Sequence, residues 1–210
     1  MATLSHEKKF FFIHVEKTGG SSLNKVIMDS GHLNKDVDIF NKTGIINLKQ
    51  SQFRGTPYYG GDTRAQDCIE WFGEERWDEY FTFAFVRNPW DRIYSWYRYL
   101  IDQGALSPDI SLQVWLMNYD FRDRMRQTDY LLDSFGRNRF KFIGRYENLV
   151  GDFAKVCDTL NISMGTLPHI NKSSNNMPYY EYYNIETKDL VSRLFADEIN
   201  LLGYEYGPQN

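Results

Sequence analysis

Two short stretches of this chain bring together the residue types that hold phosphate. In the first, Lys17, Thr18, Gly19, Gly20, Ser21 and Ser22 stand in a row. Paired glycines tolerate positive φ and let a ligand approach the backbone, successive N–H groups point outward, and a lysine with three hydroxyls completes a cradle for a fixed anion. In the second, Arg87 precedes Asn88-Pro89, and Ser95 stands eight positions after the arginine. A guanidinium is a planar fork that bonds two phosphate oxygens at once, and a serine about two helical turns further on can donate to the same group. Together the two stretches specify an anion site with two phosphate pockets. The first does not follow the GxxxxGK[ST] spacing of ATP-hydrolysing loops, because Lys17 precedes both glycines. That order disfavours ATP hydrolysis.

Each stretch needs a strand to deliver it and a helix to receive it. Phe10–Val15 is a run of aromatic and β-branched residues that reads as a buried strand, ended by Glu16 and Lys17. Leu23, Val26 and Ile27 then recur at helical spacing, so the glycines sit at a helix N-terminus whose dipole adds positive potential. Phe81–Val86 predicts a second buried strand, and Asn88 with Pro89 makes an N-cap followed by proline at the first helical position. Trp90, Ile93, Tyr94, Tyr97, Leu100 and Ile101 form the core-facing stripe of that helix, which leaves Arg92, Ser95 and Arg98 off it. Asp91 reads as a first-turn dipole partner, and Trp90 and Trp96 as packing residues. Helices are also predicted over Asp62–Phe72 and Thr187–Leu202, and loops at Gly60–Gly61 and Ser173–Asn176. Strands alternating with helices predict a single-domain α/β protein over residues 1–210. Its sheet should be mainly parallel and flanked by helices, with the ligand across the carboxyl ends of the strands.

The two junctions resemble those of the sulfotransferases that use 3′-phosphoadenosine 5′-phosphosulfate (PAPS), above all the carbohydrate sulfotransferase branch and its bacterial relatives. HVEKTGGSSL is similar to the 5′-phosphosulfate loop of that family, and FAFVRNPWDRIYSWY to its 3′-phosphate segment. The similarity continues through FIGRYENL (Phe142–Leu149), LPHINKS (Leu167–Ser173) and the closing YYNIETKDLVSRLFADEINLLGYEY, so it spans nearly the whole chain. The resemblance implies a fold related to P-loop nucleotide kinases. It also implies in-line transfer of a sulfuryl group from PAPS to a hydroxyl or amine of a glycan or small metabolite, releasing 3′,5′-adenosine bisphosphate (PAP).

On this resemblance Lys17, Thr18, Gly19, Gly20, Ser21 and Ser22 hold the 5′ group, with Lys17 also meeting the charge on the leaving oxygen. Arg87 and Ser95 hold the 3′-phosphate. Lys172, in a polar loop, lies near the cofactor. Arg145 either lies in a segment lining the adenine side or forms a structural ion pair with Glu147 or Asp152. A hydroxyl acceptor needs a general base. The family places a histidine or acid between the two phosphate motifs, but near residue 60 this chain has Gly60-Gly61-Asp62. Asp62 is the first candidate, with Glu70, His32 and His14 behind it; capping the helix before Thr63 is the other role open to Asp62. Two other readings stand beside this one. One is a P-loop-like small-molecule kinase needing ATP and magnesium, and the other is a nucleotide-binding protein without catalysis.

Composition narrows the field. A length of 210 residues suits one α/β domain with a substantial core, and a formal net charge of −4 argues against a general nucleic-acid binder. Arg122, Arg124, Arg126, Arg137, Arg139, Lys141 and Arg145 concentrate basic charge in one stretch. With Asp120, Asp123, Asp129 and Asp133 interleaved it reads as a mixed-charge solvated face, with an acidic-acceptor groove as the alternative. Cys68 and Cys157 are too few for a disulfide framework or zinc site, and no metal is expected. No apolar run is long enough for membrane insertion, and the first expected strand starts within about ten residues of Met1. The expectation is therefore a cytoplasmic protein. Eukaryotic members of the resembled branch are commonly Golgi-anchored, so an unanchored chain suggests a bacterial or viral member or an excised catalytic domain. Tyr58, Tyr59, Tyr179, Tyr180, Tyr182 and Tyr183 read as packing residues, with a stacking surface for a sugar or aromatic acceptor as the alternative. Nothing in the sequence specifies an oligomer.

Overall fold

The computed structural model describes residues 2–30, 45–48, 63–118, 126–168 and 177–208. In chain order the elements begin with β1 (Ala2–Ser5), β2 (Phe10–Ile13), α1 (Gly20–Asp29), β3 (Ile45–Leu48), α2 (Ala65–Phe72), α3 (Glu74–Glu79) and β4 (Phe81–Val86). They continue with α4 (Pro89–Asp102), α5 (Leu112–Asn118), α6 (Thr128–Leu131), β5 (Phe142–Arg145) and a 3₁₀ turn at Tyr146–Asn148. The last are α7 (Leu149–Leu160), α8 (Tyr179–Tyr182), α9 (Ile185–Leu194) and α10 (Ala196–Leu202).

The apolar runs become strands because both of their faces are covered. In β2 the rings of Phe10 and Phe12 join Leu23, Ile27 and Phe153 in one buried cluster. Phe11, pointing the other way, packs against Phe72, Trp77 and Tyr80 at ring distances of 5.4–5.5 Å. A strand buried on both faces carries a continuous apolar run rather than an alternating one, and all four residues of β2 are buried. The strand order is β3-β1-β2-β4-β5. β4 runs parallel to both β2 and β5, with Phe10 opposite Phe81 and Val86 opposite Arg145. The three parallel strands, β2, β4 and β5, are those that lead to the candidate site residues, and β2 and β4 are the two expected from the sequence. The sequence did not foretell β1, which pairs antiparallel with both β2 and β3. Four residues, Ala-Thr-Leu-Ser, carry no periodicity, and they are buried by neighbours on either side rather than by their own pattern.

The chain forms two compact units: Met1–Val86 with Asp129–Ile170, and Arg87–Thr128 with Asn171–Asn210. Each unit uses two segments, so no single cut in the chain separates them. The first holds the whole sheet. In the second, α4 is enclosed by α5, α8 and α9, which corrects the expected single core stripe. Arg92 and Trp96, placed off or beside that stripe, are buried along with Trp90, Ile93, Tyr94 and Tyr97. Tyr179 and Tyr183 are packing residues, as read. The Tyr183 hydroxyl donates to the Trp90 carbonyl at 2.9 Å, and the Tyr179 hydroxyl donates to the Gly207 carbonyl. Tyr58 and Tyr59 lie outside the described residues.

Two helix boundaries differ from expectation. The helix predicted over Thr187–Leu202 starts at Ile185, capped by the Asn184 side chain, which accepts the Thr187 N–H at 2.8 Å. It breaks at Phe195, whose φ of −118° and ψ of 23° leave the helical region while its ring is buried. Burial of one large ring outweighs the continuity of a surface helix there. The helix predicted from Asp62 starts at Ala65, and its N-cap is Arg64, whose N–H is accepted by Asp67 at 2.8 Å. Among the described residues no helix is long and apolar enough to cross a membrane.

Candidate functional site

The first candidate pocket is built where β2 gives way to α1. His14 and Val15 leave the strand, Glu16–Gly19 form a turn, and Gly19, at φ 79° and ψ 2°, caps the helix that begins at Gly20. The Gly19 carbonyl accepts the Ser22 and Leu23 N–H groups at 3.0 and 3.3 Å. The first-turn amides ahead of them have no intrahelical acceptor, which is the general condition of a helix N-terminus and the basis of its affinity for anions. No acidic residue occupies the first turn of α1, although Glu16 stands in the turn that leads into it. Thr18 is buried and donates its hydroxyl to the Val15 carbonyl at 2.8 Å, bracing the turn from inside. Ser22 is buried and Ser21 half-buried.

Two backbone features of this loop stand out. Lys17 has φ 64°, a left-handed conformation that costs a residue bearing a Cβ about 1–2 kcal/mol. Glycine would occupy it without strain, so a lysine kept here points to a use for the ammonium. Gly20 is required by its neighbour, since a Cβ there would fall 2.1 Å from His14 Cδ2. The His14 ring is stacked on Phe12 at 12° and cannot withdraw without disturbing the core. Gly20→Ala should therefore cost about 1–3 kcal/mol of stability, read as a lower urea midpoint with an unchanged slope. An unchanged midpoint would mean that the ring yields freely.

The second candidate pocket begins one residue after β4. Asn88 accepts the Trp90 and Asp91 N–H groups, with Pro89 at the first helical position, as the sequence reading has it. Asp91 sits in the first turn and also accepts Arg87 Nε–H at 2.7 Å, which fixes the plane of the guanidinium. Ser95 is half-buried on α4. The Arg87 main chain is held from elsewhere in the same unit. Its N–H donates to Gln127 Oε1 and its carbonyl accepts from Gln127 Nε2, both at 2.8 Å. Gln127 Nε2 in turn donates to Glu198 Oε1 at 3.0 Å, and the Gln127 backbone N–H donates to Glu198 Oε2. Gln127 and Glu198 escaped the sequence reading. Forty and 111 residues from Arg87 respectively, they carry no local pattern, and a lone glutamine beside a basic stretch is unremarkable until the chain closes around it.

At the end of β5, Arg145 donates its backbone N–H to Asp152 at 2.8 Å, while Asp152 is paired with Lys155, also at 2.8 Å. Burial alone would raise the Asp152 carboxyl, but the bonds from Lys155, the Arg145 amide and Asn148 outweigh it and hold the group below its ordinary range. Asp152 thus engages the main chain of Arg145. The adjacent Tyr146 ring lies beside Gly19, 3.3 Å from where a Cβ on that glycine would stand, which brings the Arg145 segment to the phosphate-loop candidate.

Asp62, His32 and Lys172 lie outside the described residues. Glu70 is exposed on α2 and accepts from Gln66 at 2.8 Å. Burial pushes His14 down to about 3, so its imidazole is neutral at physiological pH and too weak a base to take a proton from an alcohol efficiently. In the basic stretch, Arg137 pairs with Asp133 at 2.8 Å, and Arg139 with Glu74 at 3.2 Å and Asp78 at 2.7 Å. This is the mixed-charge face expected from sequence; Arg122 and Arg124 lie outside the described residues.

The profile of the sulfotransferase family matches residues 1–119, more than half of the chain, and the chain therefore belongs to the sulfotransferase family. Its α/β fold is likewise that of sulfotransferases. The crystal structure of mouse sulfotransferase SULT7A1 complexed with PAP superposes with a TM-score of 0.56 at 15% identity, over 93% of this chain and 86% of that one. A sulfotransferase from Alicyclobacillus acidocaldarius gives a TM-score of 0.48 at 19% identity, over 94% of this chain and 96% of that one. No curated protein sequence is significantly similar to this chain.

Proposed function

We propose that this chain is a PAPS-dependent sulfotransferase acting on a hydroxyl or amine of a glycan or small metabolite, with both units serving one catalytic domain. The single observation that carries the reading is the glycine-capped N-terminus of α1, with Lys17 held at φ 64° and no acid in the first turn. Such a loop fits a phosphosulfate, because backbone N–H groups and a cation converge on an anion at a helix N-terminus with no acid in its first turn. Further support comes from membership of the family and from mouse SULT7A1, which was solved with PAP.

PAPS supplies, when bound, a sulfuryl group on a phosphate leaving group. The loop amides with Thr18, Gly19, Gly20, Ser21 and Ser22 orient the 5′ end, and Thr18 keeps the loop in shape through Val15. Lys17 neutralises charge on the leaving oxygen, an electrostatic contribution that is preorganised rather than recruited. Arg87 and Ser95 donate to the 3′-phosphate, which anchors the donor at its far end and so aligns the reacting atoms. Arg145 and Lys172 serve the nucleotide side. Asp62 accepts the proton of the acceptor hydroxyl.

The test is PAPS-dependent sulfation of a panel of hydroxylated and amino acceptors, followed by release of PAP. Asp62→Asn is expected to abolish transfer while leaving PAP affinity within about threefold, since a base contributes to turnover rather than to donor binding. Full turnover with an unaltered pH–rate profile in that variant would move the base to Glu70 or His32. PAP binding without transfer to any acceptor would favour the non-catalytic reading.

A further inference from the structure

The ladder between β4 and β5 ends at Val86 opposite Arg145, so Arg87 is the first residue beyond the parallel pairing. Its main chain is nevertheless bonded as if a further strand ran beside it. A carboxamide offers the same C=O and N–H pair as a peptide group, and Gln127 uses both on Arg87, each at 2.8 Å. The direction of that carboxamide is dictated by Glu198. Both Glu198 oxygens accept from Gln127, so the Gln127 nitrogen faces the carboxyl, at 3.0 Å, and the amide oxygen faces the Arg87 N–H. The second Glu198 oxygen takes the Gln127 backbone N–H. Gln127 is 0% and Glu198 1% exposed. Burying a carboxylate is costly, and apolar side chains of the same volume commonly serve stability as well or better. What this pair provides that leucine could not is orientation.

We infer that Gln127, oriented by Glu198, is a positioning residue for phosphate recognition. It locks the Arg87 main chain while Asp91 holds Nε at 2.7 Å, so the guanidinium is presented in one place before any ligand arrives. This inference rests on the reading of Arg87 as the 3′-phosphate ligand. Preorganisation of this kind strengthens the bond to one group of the ligand and leaves the others untouched. The signature is therefore selectivity for the 3′-phosphate rather than affinity in general.

The experiment titrates the full chain calorimetrically with two probes, PAP and adenosine 5′-monophosphate, which differ only in the 3′-phosphate. The ratio of their affinities is the readout. Gln127→Leu is expected to lower the ratio by about tenfold, the order expected for a misdirected charged hydrogen bond, with 5′-monophosphate affinity unchanged. In an Arg87→Ala background the same substitution should lower the ratio no further. Should Gln127→Leu fail to fold, Glu198→Gln keeps the volume, replaces one of the two accepting oxygens by a donor, and is read on the same ratio. Equal weakening of both probes, or of neither, overturns the inference while leaving the Arg87 assignment intact. A wild-type ratio in Arg87→Ala itself overturns both.

Discussion

Lys17→Ala should lower turnover by about 10²–10³-fold, the scale of losing one preorganised electrostatic contact to a developing charge, while PAP affinity changes by no more than about fivefold. The asymmetry follows from where the charge goes. In the bound donor the bridging oxygen carries little charge, and as the sulfuryl group departs the leaving phosphate becomes more anionic, so a cation at that oxygen binds the transition state better than the ground state. In the proposed mechanism the loop amides already hold the ground-state anion. Lys17 occupies φ 64°, which makes Lys17→Gly an informative companion, because glycine adopts that conformation without strain. If the loss comes from the missing ammonium, both variants lose turnover alike although the glycine variant has the more relaxed loop. The measurement is kcat at saturating PAPS beside a calorimetric Kd for PAP. Unchanged turnover in Lys17→Ala would remove its role in the transition state.

Arg87→Ala should weaken PAP binding by about 1.5–3 kcal/mol, the range for a charged hydrogen-bonding partner, or roughly 10–150-fold. Arg87→Lys should recover little of it. The guanidinium bonds Asp91 through Nε at 2.7 Å and is a planar fork of five N–H donors, whereas an ammonium is a single point that cannot reproduce that fork. Replacement also leaves the Asp91 carboxylate, about one-fifth exposed, without that cation, so a small loss of stability accompanies the loss of affinity. Calorimetry with PAP reads the first effect and a denaturant midpoint the second. Wild-type PAP affinity in Arg87→Ala would reject the 3′-phosphate assignment.

The parts of this protein legible in its sequence are those governed by neighbours in the chain. Both strand-to-helix junctions are of this kind: an apolar run, a cap or a glycine pair, and a helical stripe fall within about twenty residues, and β2, α1, β4 and α4 appear where those signals place them. What escaped depends on distant partners. β1 is a strand only because β2 and β3 flank it. Arg92 is buried because α5, α8 and α9 close around α4, although by periodicity it belongs on the polar side. The helix break at Phe195 is a local sacrifice to tertiary packing, and the Gln127–Glu198 clamp joins segments with no sequence relation. Among the candidate site residues, Lys17, Gly19, Gly20, Arg87 and Ser95 came from local pattern. The residues that orient Arg87 did not, with the exception of Asp91, whose first-turn position was expected and whose bond to Arg87 was not.

Recognition of an adenosine nucleotide bearing a 3′-phosphate, without a metal, is what the proposed function requires of this fold. Calorimetric titration of the wild-type chain with PAP, set against ADP with magnesium, tests it directly. Tight binding of PAP that is unaffected by a chelator, with weak or absent binding of ADP and magnesium, is the predicted result. Preference for ADP with magnesium would contradict the account in favour of kinase chemistry, and failure to bind either would undo both phosphate pockets.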